Sequence, residues 1–132
     1  MAADAALTNN DPSPSEQRRV YAFRHVEDLR RVMVEQGDAD RRVAILEWGW
    51  TSDPRPNSPY RWHSVTEEQK ADYLVRAYRY AQANWDWATL MTVIYVPDPA
   101  WTRDHEQLYW SITNPDGSPR EAYRALQRVL RN

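Results

Sequence analysis

The sequence predicts one α/β domain in the order helix, strand, helix, strand, helix. Three observations lead there. Apolar residues recur at helical spacing in three stretches, and two short, continuous apolar runs lie between them. Segments leading into the runs are short, whereas segments leaving them are long and rich in Pro and Trp.

Residues 1–14 are small and polar, closing on Asn9-Asn10-Asp11-Pro12, and read as a loop or disordered N-terminus; the domain proper is placed at 15–132. A first helix is expected at 15–36. Ser13-Pro14-Ser15-Glu16 supplies a cap, Pro near the first position and Glu in the first turn, Ala22, Val26, Leu29 and Met33 step at helical spacing, and Gly37 ends it. The first strand is Arg42-Val43-Ala44-Ile45-Leu46-Glu47-Trp48. Its uninterrupted apolar run matches a strand buried on both faces of a parallel sheet.

A long loop with three prolines and two tryptophans, 49–63, precedes a second helix from Thr66. There the Thr66 hydroxyl caps while Gln69 reaches back, and Ala71, Leu74, Val75, Tyr78, Ala81 and Trp85 form the inward stripe. Asn84-Trp85-Asp86-Trp87 turns into the second strand, 88–96, which Pro97-Asp98-Pro99 stops. A second aromatic loop closes at Asn114-Pro115-Asp116-Gly117. Ser118-Pro119-Arg120-Glu121 repeats the cap pattern and opens a third helix with Ala122, Ala125, Leu126, Val129 and Leu130 inward.

The 132 residues suffice for one domain but fall far short of the ~250 that a closed (β/α)8 barrel requires. A net charge of -2, with arginine pairs set among carboxylates, argues against nucleic acid as a partner. Sixteen of the 17 cationic side chains are Arg and only Lys70 is Lys, which reads as composition bias. No apolar run approaches a membrane span, and the first residues lack the pattern of a secretory signal, so the localisation stays open. Without Cys there is no disulfide, thiolate metal site or Cys nucleophile, and no cofactor motif stands out.

The informative bias is aromatic: seven Trp and eight Tyr against one Phe. Trp and Tyr join a flat apolar face to a polar handle, which suits a pyranose. In α/β proteins ligands gather at the carboxyl ends of the strands. Five tryptophans (Trp48, Trp50, Trp62, Trp101 and Trp110) fall at or after those ends. Trp85 and Trp87 fall at the opposite end and read as packing residues.

Glu47 is the leading chemical candidate, a carboxylate ending an apolar strand and followed by Trp48-Gly49-Trp50. Burying it unused would be costly, and the plain alternative is a strand that has already surfaced there. Asp98 is a weaker candidate acid that also reads as a turn former, while Asp53, Asp104 and Glu106 read as solvated and Asp116 belongs to its turn. His25 reads as structural, and His63 and His105 lack a third ligand at a diagnostic spacing, so no metal site is expected.

Glu47-Trp48-Gly49-Trp50 resembles the (T)E-(F/Y)-G-(W/Y) end of the seventh strand in retaining glycoside hydrolases of the large (β/α)8 clan, which holds cellulases, xylosidases and β-galactosidases. The helix opening Thr66-Glu67-Glu68-Gln69, with Tyr73-Leu74 and Arg76-Ala77, follows in the same order. The ending from Trp110 through Asn114-Pro115-Asp116-Gly117-Ser118-Pro119-Arg120 to Leu126 resembles the closing motif of that group. The likeness covers about residues 20–130.

This resemblance implies that the chain is the last helix-strand-helix-strand-helix of a partial TIM barrel. It implies that Glu47 is the nucleophile acting on a β-linked oligosaccharide or glycoside. The loop aromatics Trp50, Trp62, Tyr95, Trp101 and Trp110 are the candidates to stack sugar rings around it, with two or three of them expected to cover the top of the core instead. The clan's acid/base is a Glu preceded by Asn on the fourth strand, and no Asn-Glu pair occurs here. Leu46 and Trp48 are milder departures. The implied chain is catalytically incomplete alone, and calls for a complementing barrel fragment or self-association. The alternative is a non-catalytic carbohydrate-binding or protein-interaction α/β domain.

Overall fold

A computed structural model describes residues 23–131. Its elements are α1 (His25–Glu35), β1 (Val43–Trp48), α2 (Glu67–Asn84), β2 (Ala88–Val93) and α3 (Glu121–Leu130), with 3-10 turns at Arg61–His63 and Glu106–Tyr109. The fold is α/β: three helices and one parallel two-stranded sheet. Among the described residues the sheet gains no further strand and does not close into a barrel.

The end of α1 and the start of α2 each have a local cause. The expected start of the first helix, 15–22, lies outside the described residues. Its C-terminus is a Schellman motif, in which Asp38 N donates to Met33 O (2.9 Å) and Gly37 N to Val34 O (3.1 Å), with Gly37 at φ +93°. Helix α2 opens with the full capping box: Gln69 N donates to Thr66 Oγ1 (3.0 Å) and Thr66 N to Gln69 Oε1 (2.9 Å).

Helix α3 departs from expectation. It begins at Glu121 with Arg120 at the cap position and no side-chain cap. Ser118 instead serves the preceding turn, its hydroxyl donating to Asp116 Oδ1 at 2.6 Å.

The first strand forms as expected from Val43 to Trp48, the second stops at Val93 rather than at 96, and among the described residues only one sheet face is covered. Ile45 and Trp48 on β1, with Met91 and Val93 on β2, face α2 and α3. The other face, expected to be buried, leaves Leu46 65% and Leu90 51% exposed. Parallel sheets ordinarily bury both faces, so this bare apolar face departs from the norm.

Between the helices, Ala71, Leu74 and Ala77 of α2 meet Ala122, Ala125 and Leu126 of α3, and the small side chains permit close approach. Leu130, expected inward, is exposed at the end of α3. The apolar positions of α1 bury none of their residues, and Leu29 is exposed. Phe23 does the anchoring just ahead of that helix, its ring 4.9 Å from Trp85 and within 6 Å of Trp48 and Trp50. Glu27 adds polar anchors, accepting from Tyr80 Oη (2.8 Å) and Trp85 Nε1 (2.9 Å).

Connections into the strands, 36–42 and 85–87, are short, and those leaving them, 49–66 and 94–120, are long. Both long loops therefore collect at the carboxyl end of the sheet. They are tied together by backbone and side-chain bonds, among them Ser52 N to Tyr109 O (3.0 Å) and Arg55 Nη1 to Asp104 O (2.7 Å).

Candidate functional site

Glu47 is the penultimate residue of β1 and lies exposed on the uncovered sheet face. The pairing register breaks between Ile45 and Trp48, so alternation is interrupted there: Leu46 and Glu47 are both exposed while the Trp48 ring turns into the core. Immediately after, Gly49 lets the strand ends close: a Cβ there would lie 3.1 Å from Ile94 Cγ1 and 3.2 Å from Ile94 O. Ile94 N donates to Trp48 O at 3.1 Å, carrying the pairing one residue past β2 and bringing Tyr95 to the Glu47 end of the sheet.

Burial raises the Tyr95 phenol above its ordinary pKa, and the nearby carboxylates of Glu47 and Glu106 push in the same direction. A raised phenol stays protonated, so Tyr95 is suited to donate a hydrogen bond to an anion or a sugar oxygen. Trp101 stands edge-on to Tyr95 with centroids 5.9 Å apart.

A second aromatic group joins the two loops. Tyr60 and His63 come from the first loop and Trp110 from the second, with centroid separations of 5.4 to 5.6 Å. Trp62 lies against His63 at 4.4 Å and is 51% exposed, presenting an open indole surface. Trp110 Nε1 donates to Glu106, a contact across one turn of the 3-10 segment. Burial lowers the pKa of His63, which keeps its imidazole neutral at physiological pH and in character with its aromatic neighbours.

Of the five residues expected to hold sugar, Tyr95, Trp62, Trp101 and Trp110 lie in these loops with part of each ring accessible. Trp50 does not. It is 4% exposed, wedged between Phe23 and Tyr73 as part of the core. The strand pattern continues one step past Gly49, so Trp48 and Trp50 point to the same, helix-covered side.

Other sequence readings are revised. Asp53, read as solvated, is fully buried; its carboxylate grips Arg55 through Nε (2.9 Å) and Nη2 (2.7 Å), and this holds Asp53 down to about 2. Glu106, also read as solvated, is half-buried under Trp110. Asp98 is a turn former, accepting from Ala100 N at 2.8 Å. Tyr60, His63 and Glu106 belong to the site but carry no local sequence signal; only the i, i+4 spacing of Glu106 and Trp110 hints at their contact. Among the described residues no group of three or more His, Asp or Glu could hold a metal ion, and no helix is long and apolar enough to cross a membrane.

Lys70, the lone lysine, is fully buried. Its ammonium donates to Tyr109 O (2.8 Å) and Ser111 O (2.7 Å), with Glu67 3.9 Å away. Burial pulls its pKa down to about 8. A cleft of about 760 Å³ opens between the loops nearby, walled by Trp101, Tyr109, Asn114 and Arg120. Glu47 is not among the residues that line it.

No protein-family model matches the chain, and no curated protein matches it. Its chemistry therefore has to be argued from the site itself. The arrangement offers an accessible carboxylate beside a protonated phenol, flanked by aromatic surfaces on two loops.

Proposed function

We propose that the chain is the C-terminal part of a retaining glycoside hydrolase barrel, with Glu47 as the nucleophile and a β-linked oligosaccharide or glycoside as the substrate. The observation that carries this reading is the exposed Glu47 at the carboxyl end of β1, beside Tyr95 and below the Trp-bearing loops. The ordered resemblance from Glu47 to Leu126 supports it. So does the uncovered face carrying Leu46, Leu90 and Glu47, which in a closed barrel would look inward.

In this reading the Glu47 carboxylate attacks the anomeric carbon as the glycosidic C–O bond breaks. A second carboxylic acid, about 5–5.5 Å away, protonates the departing oxygen. Water, deprotonated by that same group, then releases the sugar and restores Glu47. Tyr95 donates a hydrogen bond to Glu47 or to the sugar, and Trp62 and Trp101 offer stacking faces. The Asn-Glu pair of the clan's acid/base does not occur in these residues, so activity in this reading requires a complementing barrel segment that carries it.

A mechanism-based fluoroglycoside provides the test. Mass spectrometry should find the label on Glu47 when the complementing segment is present, and Glu47→Gln should abolish it. Labelling elsewhere, or none in a reconstituted complex, overturns the assignment. Titration calorimetry with xylo- and cello-oligosaccharides addresses the non-catalytic reading: binding that Trp62→Ala weakens, with no labelling in the complex, leaves a carbohydrate-binding domain.

A further inference from the structure

Trp110 is held between two residues whose carbonyls share one donor. Lys70 Nζ reaches Tyr109 O at 2.8 Å and Ser111 O at 2.7 Å, bracketing the indole-bearing residue from below. Each carbonyl has further partners. Tyr109 O also accepts from Ser52 N and Ser52 Oγ, both at 3.0 Å, and Ser111 O from Arg120 Nη1 at 3.3 Å. The charged groups facing the ammonium are Glu67 on its own helix and Arg120, the last residue of the 94–120 loop, which also presents the two carbonyls.

We infer that Lys70 is a positioning residue for the aromatic wall: by gripping the carbonyls on both sides of Trp110, its ammonium sets that indole against Tyr60, His63 and Glu106. A buried ammonium is costly unless its hydrogens are engaged, and here two are engaged by carbonyls of one short segment. An N–H donor carrying full charge makes stronger bonds than a neutral one, so the grip depends on protonation. Arginine, used at every other cationic position, is a wide planar fork, whereas a compact ammonium can sit between carbonyls two residues apart.

That Trp110 touches a ligand rests on the carbohydrate reading above; the grip itself does not. The chain can be labelled throughout with fluorotryptophan and its fluorine resonances assigned through single Trp→Phe variants. The Trp110 resonance should titrate with a midpoint near 8, the value to which burial brings Lys70, while those of the core residues Trp48, Trp50 and Trp85 stay fixed. In Lys70→Met the Trp110 resonance should be displaced and cease to titrate, again with the core three unmoved.

A Trp110 resonance that is flat around pH 8 in the unsubstituted chain overturns the inference, and this needs no variant to fold. Movement of the core resonances as large as that of Trp110 overturns it too, since it marks a purely structural lysine. Where the unsubstituted chain binds oligosaccharide, Lys70→Met should weaken binding by about tenfold or less through Trp110. A responsive Trp110 in a chain that binds no oligosaccharide upholds the grip, and absence of label in the reconstituted complex then removes the carbohydrate reading separately.

Discussion

Asp53 and Arg55 form an ion pair within the first long loop that aims the guanidinium at the second. The buried carboxylate orients the guanidinium, which then donates to Asp104 O at 2.7 Å and lies over the Tyr109 ring at 5.1 Å. Asp53→Asn should destabilise the chain by about 2–3 kcal/mol at neutral pH, the usual loss for hydrogen bonds to a charged group. Because Arg55 lowers the Asp53 pKa from 3.8 to about 2, the folded state gains from this carboxylate above about pH 4 and loses that gain as pH falls towards 2. Urea melts of the two chains should therefore converge over that acid window. Lys70 has the opposite linkage. Its pKa falls from 10.5 to about 8, so the unfolded chain holds the extra proton between those values and stability rises with pH there. Lys70→Met should shift stability by only about 1 kcal/mol at pH 7: a desolvated charge is removed and each carbonyl keeps a donor in Ser52 or Arg120, while the single clamp that ties the two carbonyls together is lost.

Two similar sequence signals, Thr66-Glu67-Glu68-Gln69 and Ser118-Pro119-Arg120-Glu121, have different outcomes at the level of elements. The first caps α2 as its pattern implies, and Thr66→Ala should cost about 1 kcal/mol in thermal or urea unfolding. In the second the cap is lost to a competitor. Asp116 Oδ1 accepts from both Ser118 N (2.9 Å) and Ser118 Oγ (2.6 Å), and the turn is completed by Asn114 N to Ser118 O (2.8 Å). Local side-chain bonding of this kind competes with capping, and three residues of sequence cannot say which wins. Gly117, at φ +81°, completes that turn, so Gly117→Ala should cost about 1 kcal/mol despite open space around it. Ser118→Ala should loosen the turn while leaving α3 helicity unchanged by circular dichroism.

Among the described residues the sheet has one exposed apolar face and no further strand on either edge. Leu46, Leu90 and the nearby Val96 are exposed, and the covered face already holds α2 and α3. Unpaired edges beside bare apolar surface favour association. The chain should therefore self-associate or bind a complementing segment; a monodisperse monomer by size-exclusion chromatography, unfolding cooperatively in urea, would contradict this. Leu46→Lys with Leu90→Lys should raise the monomer fraction while changing stability by about 0.5 kcal/mol or less, because neither side chain contributes to the covered core.

The order of elements was legible in the sequence because helical spacing, continuous apolar runs and capping residues are local properties. So was the asymmetry of the connections, which locates both Trp-rich loops at one end of the sheet. Glu47 could be singled out for the same reason, as a charge ending an apolar run. Tertiary structure alone decided the division of labour among side chains of one type. Trp50 went to the core and Trp62 to the surface although both follow β1, because only the former continues the strand alternation beneath the helices. Asp53 was buried through its partner Arg55, and Lys70 became an internal clamp through carbonyls some forty residues away. Burial and hydrogen bonding across such separations depend on how the loops fold back over α2, and no local pattern encodes them.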